Sequence, residues 1–120
     1  FIEETVKEIE SYAPEEIVLL PLYPQFSSTT TLSSMQVFRK AYTGKAKVTS
    51  ICCYSDNDHF IKAHVDAIRE KIATLKQPGH YRLLFSAHGL PESIIARGDP
   101  YQEQVESCVA KIMAGLGNPI

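Results

Sequence analysis

The sequence has little of what would commit it to a membrane, an export route or a polyanionic partner. Its longest unbroken apolar stretch is the handful of residues around Ile17-Val18-Leu19-Leu20, far short of the roughly 18 that span a bilayer. No basic segment precedes that stretch, so the sequence reads as neither secreted nor membrane-spanning. Charge of one sign is also missing: twelve Lys and Arg against fourteen Asp and Glu leave a net −2, too small and too scattered to steer the chain onto nucleic acid or anionic lipid. Cysteine is scarce, and its three copies form no C-x-x-C pair. That usage fits a reducing compartment such as the cytoplasm and leaves peripheral membrane association open. Cys52 and Cys53 are neighbours, which on a strand would point to opposite faces, whereas Cys108 falls in a helical pattern. There is no low-complexity tract and no repeat of fixed period. What remains, 120 residues with 44% hydrophobic and 22% charged content, is enough to bury one core.

The apolar spacing then predicts alternating helices and strands. Ile2, Val6, Ile9 and Ala13 recur at helical spacing up to Pro14, and Ile17-Val18-Leu19-Leu20 reads as a short buried strand. Residues 21–31 carry two prolines and a Ser/Thr cluster, which predicts a loop whose last threonines cap a helix bearing Leu32, Met35, Phe38 and Tyr42, ended by Gly44. Residues 47–53 predict a second strand, followed by the polar turn Ser55-Asp56-Asn57-Asp58. A helix with Ile61, Val65, Ile68, Ile72 and Leu75 on its stripe follows, stopped by Pro78-Gly79. Residues 81–87 predict a third strand. The last helix is expected from Asp99 as N-cap, Pro100 at the first helical position and Gln102 in the capping-box place, with Val105, Cys108, Val109, Ile112 and Leu116 inward and Gly117 beyond its end. Strands separated by single helices imply βαβ units and a parallel sheet covered on both faces, an α/β fold. Phe1 opens inside a helical pattern with no cap, and the chain stops just past a C-cap glycine, so a piece of a longer protein is expected.

In parallel sheets ligands bind outside the carboxyl ends of the strands. The loops at 23–31, 54–58 and 88–91 all follow predicted strands and are expected to converge on one edge. His88 is the main candidate for chemistry. It ends a predicted strand, Gly89 gives it room and Pro91 fixes the turn, and imidazole either takes a proton near neutral pH or ligates a divalent transition metal. A loop histidine held by backbone hydrogen bonds is the bland alternative. Tyr23 and Phe26 with the hydroxyls of Ser27, Ser28, Thr29, Thr30 and Thr31 can stack a flat ligand and bind an anion ahead of a helix, or simply serve turn and cap. Asp56, Asn57 and Asp58 resemble a metal cluster in composition but read better as caps and first-turn anions. His59, His64 and His80 are weaker candidates, Cys108 reads as a small buried hydrophobe, and Arg97 and Asp99 as charge and cap.

The run Ser86-Ala87-His88-Gly89-Leu90-Pro91, followed closely by Arg97-Gly98-Asp99-Pro100-Tyr101, resembles the signature of ferrochelatases. The loop Tyr23-Pro24-Gln25-Phe26-Ser27-Ser28-Thr29-Thr30 and residues 54–61 are similar to theirs in the same order, so the likeness covers nearly the whole chain. It implies a chelatase-like (flavodoxin/Rossmann-like) three-layer sandwich, present here as part of two α/β domains: residues 1–54 the end of the first, 55–120 the opening of the second. It also implies insertion of ferrous iron into a porphyrin, protoporphyrin IX or coproporphyrin, with His88 facing a glutamate from a segment outside this chain and serving as iron ligand or proton acceptor. Tyr23 and Phe26 would touch the macrocycle. Iron is then a substrate and no resident cofactor is expected. Some members of the family carry a cysteine at the position of Ser28 as one ligand of an iron-sulfur cluster; Ser28 cannot supply that thiolate.

Two readings from other classes stand beside this one. A flavodoxin-like phosphate- or flavin-binding module would use the hydroxyl-rich loop at a helix N-terminus, though no Gly-rich turn accompanies it. A non-catalytic remnant would expose apolar surface and self-associate.

Overall fold

The structure, a computed structural model, describes residues 1–76 and 81–117, which leaves Pro78, Gly79 and His80 outside the described residues. The chain forms two compact units, Phe1–Cys53 and Tyr54–Ile120.

In the first unit, α1 (Ile2–Tyr12) ends where Ala13 turns left-handed and its N–H bonds back to the Ile9 carbonyl. Pro14 then blocks continuation. Strand β1 (Glu16–Leu19) lies parallel to β2 (Lys47–Ser50), with Glu16 opposite Lys47 and Leu19 opposite Ser50. Between them runs α2 (Ser33–Ala41). The pair is therefore a βαβ unit, the arrangement by which parallel neighbours are joined. Val6, Ile17 and Phe38, one from each of α1, β1 and α2, make the buried core, and Leu19, Val48, Ile9 and Tyr42 pack around it. Val18, on the opposite face of β1, and Leu20, just past its end, are exposed.

Three local expectations are corrected here. The threonines are not loop: Ser28–Leu32 form a wide, π-type helical turn running into α2, and the cap moves back to Ser27, whose hydroxyl accepts from the Thr29 N–H at 3.2 Å. Gly44 does not end α2, which stops at Ala41 with Tyr42 extended. Its missing side chain instead makes space for the Tyr42 ring, whose hydroxyl accepts from the Ala46 N–H at 3.1 Å. Finally, β2 ends at Ser50, although the Ile51 N–H still bonds to the Leu19 carbonyl at 2.9 Å. Cys52 and Cys53 thus lie beyond the strand, and their sulfurs approach to 2.8 Å rather than pointing apart.

The second unit is built on α3 (Asp58–Ala73) and α5 (Tyr101–Leu116). Val65 of α3 and Cys108, Ile112 and Leu116 of α5 are buried together, with Phe60, Ile61, Ile68 and Met113 against them. Asn57 caps α3, its side-chain oxygen accepting from the N–H groups of His59 at 3.0 Å and Phe60 at 3.3 Å. At the start of α5 the boundary differs by one residue from the sequence reading. Pro100 takes the cap position, and Asp99, one residue ahead of it, still accepts from the Tyr101 N–H at 3.1 Å, while the Gln102 amide turns outward to Glu106 rather than closing a capping box.

The third predicted strand is not formed. Residues 81–90 are irregular, and among the described residues of this unit there is no strand to pair with. β-propensity marks a segment that suits a sheet, but the ladder needs a second backbone. Leu83 packs on the helical core, whereas Leu84 is 80% exposed. A short helix, α4 (Glu92–Ile95), follows Pro91 and was not expected from the sequence. The observed class is mixed helix and strand with a small two-stranded parallel sheet, an α/β arrangement.

Candidate functional site

His88 sits in the irregular stretch ahead of α4, and its side chain is exposed. The expectation of a histidine rigidly held at the end of a buried strand is corrected accordingly, because 81–87 has no ladder to hold it. The downstream side is better fixed. The Ile94 N–H bonds to the Pro91 carbonyl at 2.9 Å, so the proline that follows His88 by three residues is tied into the first turn of α4. A Cβ added at Gly89 would meet nothing within 4 Å, so the backbone next to His88 is open.

The second half of the motif closes the connection between two helices. Arg97 donates from Nε to the Ser93 carbonyl at 3.0 Å. Gly98 takes φ +90°, a backbone conformation that costs a side-chain-bearing residue energy, and the Asp99 carboxylate then accepts from the Tyr101 N–H at the start of α5. Arg97-Gly98-Asp99-Pro100-Tyr101 thus works here as a corner between α4 and α5.

In the first unit, Tyr23 and Phe26 lie between β1 and the helical turn at Ser28–Leu32; Tyr23 is 55% exposed and Phe26 half-buried. The hydroxyl-rich segment spends its polar groups on itself. Ser27 is buried and pairs with the Thr29 hydroxyl at 2.8 Å, its carbonyl accepts from the N–H groups of Thr30 and Leu32, and the Thr30 carbonyl accepts from the Ser33 and Ser34 hydroxyls. Amides already bonded internally are poor donors for a phosphate, which weighs against the phosphate-module reading. Thr31 is the exception. It is 1% exposed and its hydroxyl has no hydrogen-bond partner, at the wall of an apolar groove of about 510 Å³ lined also by Val18, Leu20, Met35 and Phe38. Neither Tyr23 nor Phe26 lines that groove. The sequence grouped Thr31 with the other hydroxyls of the loop and did not single it out, since burial of a single hydroxyl leaves no periodic trace.

The remaining candidates resolve into structural roles. Asp56 pairs with Lys111 of α5 at 3.3 Å and Asn57 is the cap, and among the described residues no group of three or more His, Cys, Asp or Glu is placed to hold a metal ion. His64 hydrogen-bonds through Nδ1 to the Phe60 carbonyl at 2.9 Å with its ring 4.4 Å from that of Phe60, and His59 is exposed. Burial pushes the Cys108 thiol up, as suits a core residue. No described helix is long and apolar enough to cross a membrane.

Comparison with known proteins bears directly on the loop motifs. The family model described as Ferrochelatase matches residues 1–119. A ferrochelatase of Caulobacter vibrioides is 48% identical over 114 residues, which cover 95% of this chain and 33% of that protein. One from Hyphomonas neptunium is 50% identical over 115 residues (96% and 31%), and one from Rickettsia felis 47% over 116 (97% and 33%). The chain spans about a third of the length of these curated relatives. A match that runs through both units and includes all four loop motifs settles the affiliation: the chain belongs to the ferrochelatase family.

Proposed function

We propose that the protein of which these residues form a part inserts ferrous iron into a porphyrin, with His88 at the reacting centre. The observation that carries this reading is the family match running through the His88 loop. The reaction requires two pyrrole N–H protons to leave while a hydrated ferrous ion sheds its water, so it needs a base and a weak metal ligand over one face of the macrocycle. An exposed imidazole beside an open glycine meets the access requirement for either role. Its partner is a carboxylate outside this chain. Tyr23 and Phe26 contact the macrocycle. Ferrous iron is substrate, the porphyrin is protoporphyrin IX, and no iron-sulfur cluster is ligated through Ser28.

The same reading gives the fold its larger context. Residues 1–54 and 55–120 are the end and the opening of two α/β domains, each completed elsewhere in the protein as a three-layer sandwich. The exposed Val18, Leu20, Leu84 and Phe85 are then faces awaiting a further layer. By itself the 120-residue piece is inactive and self-associates through those faces. The whole protein works in the cytoplasm, with peripheral contact to a membrane where its hydrophobic substrate collects.

The test is His88→Ala in the full-length protein. Iron insertion should fall by about 10²–10⁴-fold, the range for removing a positioned acid–base group, while porphyrin binding, followed by fluorescence quenching, is retained. Normal turnover in that variant would remove His88 from the mechanism.

A further inference from the structure

The pair Cys52-Cys53 plays no part in the reading above, and its geometry is unusual. The sulfurs lie 2.8 Å apart just beyond the end of β2, with Cys52 exposed and Cys53 half-buried. Consecutive Cα atoms are about 3.8 Å apart, below the roughly 4.4–6.8 Å that an unstrained disulfide takes. A direct S–S bond would therefore close a strained ring. Insertion of one bridging atom relieves that strain, because the two sulfurs then need only converge on a common centre.

We propose that Cys52 and Cys53 form a vicinal dithiol site that captures a trivalent arsenical by bonding through both sulfurs. A pyramidal arsenic(III) centre binds two thiolates at close to a right angle, which suits sulfurs already on one side of the backbone. With phenylarsine oxide, each S–H bond breaks, two As–S bonds form, and the arsenic-bound oxygen leaves with both protons as one water; arsenic stays trivalent and no oxidant is involved. The hydrogen bond with Cys53, followed by partial burial, pushes the Cys52 thiol up to about 11. It is accordingly protonated at neutral pH and a poor single-site nucleophile, so chelation and not one-sulfur attack distinguishes the pair. Cys108, alone and buried, offers no second sulfur.

The experiment treats the reduced 120-residue chain with phenylarsine oxide and reads intact mass, then maps the adduct by proteolysis and fragmentation. One equivalent should add, at the reagent mass less one water, on the peptide containing both cysteines. It should resist excess monothiol and be stripped by a 1,2-dithiol. Cys52→Ser and Cys53→Ser should each weaken binding by about 100-fold through loss of the intramolecular second contact, and Cys108→Ala should leave it unchanged. Wild-type affinity in either single serine variant, an adduct that maps to Cys108, or two adducts each removed by monothiol would overturn the proposal.

Discussion

Residues 1–53 and residues 54–117 carry strand patterns of similar quality, yet among the described residues only the first region turns its patterns into a sheet. There, β1 and β2 are joined through α2 and find each other in register, and the core draws on α1, β1 and α2 together. In the second region the core is a pair of helices, and residues 81–90 touch it through Leu83 while remaining irregular. The difference is one of partners. A helix satisfies most of its own backbone, whereas every ladder hydrogen bond of a strand needs a group on another segment.

The comparison is tested hardest at Phe38. Phe38→Ala removes a buried ring that stacks on Tyr42 with centroids 5.5 Å apart and should cost about 3–5 kcal/mol. Hydrogen exchange should show α1, α2 and both strands losing protection while α3 and α5 keep theirs. Equal loss in α3 and α5 would mean that the two regions unfold as one and that the contrast between them is only local.

A smaller effect is expected at the helix pair of the second region. A Cβ at Gly115 would come within 2.8 Å of the Val65 Cγ2, so Gly115→Ala must push α3 and α5 apart or force Val65 off its rotamer. Overpacking of this kind costs about 1–3 kcal/mol. The double variant Gly115→Ala with Val65→Ala should lose less than the sum of the two single variants, since removing the valine methyls removes the clash. Strict additivity, measured by denaturant midpoints, would show that this contact does not set the helix spacing.

How far the sequence could be read follows the same division. The stripe Val65, Cys108, Ile112 and Leu116 was legible because helical periodicity is a property of one segment, and so were the parallel pair and the Asn57 cap. The third strand was overread, because alternation and β-branching report suitability for a sheet and not the presence of a neighbour. The turn at Ser28–Leu32 was missed since Ser and Thr favour caps and loops when considered singly, while here Ser27 alone takes the cap and the others continue the helix. Of the candidate residues, the sequence placed His88, Tyr23 and Phe26 in loops, and in the structure all three lie in irregular segments. It could not foresee the approach of the Cys52 and Cys53 sulfurs, which depends on β2 ending at Ser50.

The finest test concerns a contact confined to the first region. Glu10 of α1 accepts from both the N–H and the hydroxyl of Thr43, each at 3.0 Å, linking α1 to the segment that follows α2. Those two hydrogen bonds hold its carboxyl below the ordinary value of 4.5, with burial opposing slightly. Because the folded value lies below the unfolded one, the folded state favours the carboxylate. The stabilisation is complete above the unfolded value and disappears as pH falls through the folded one. Glu10→Gln keeps an oxygen acceptor but loses the charge, so wild type should melt slightly higher than the variant at pH 7, with the gap closing on acidification. The protection of α3 amides should be the same in both. A gap that persists unchanged in acid would detach the stabilisation from the Glu10 charge, and a change in α3 would show that even this surface contact is felt in the second region.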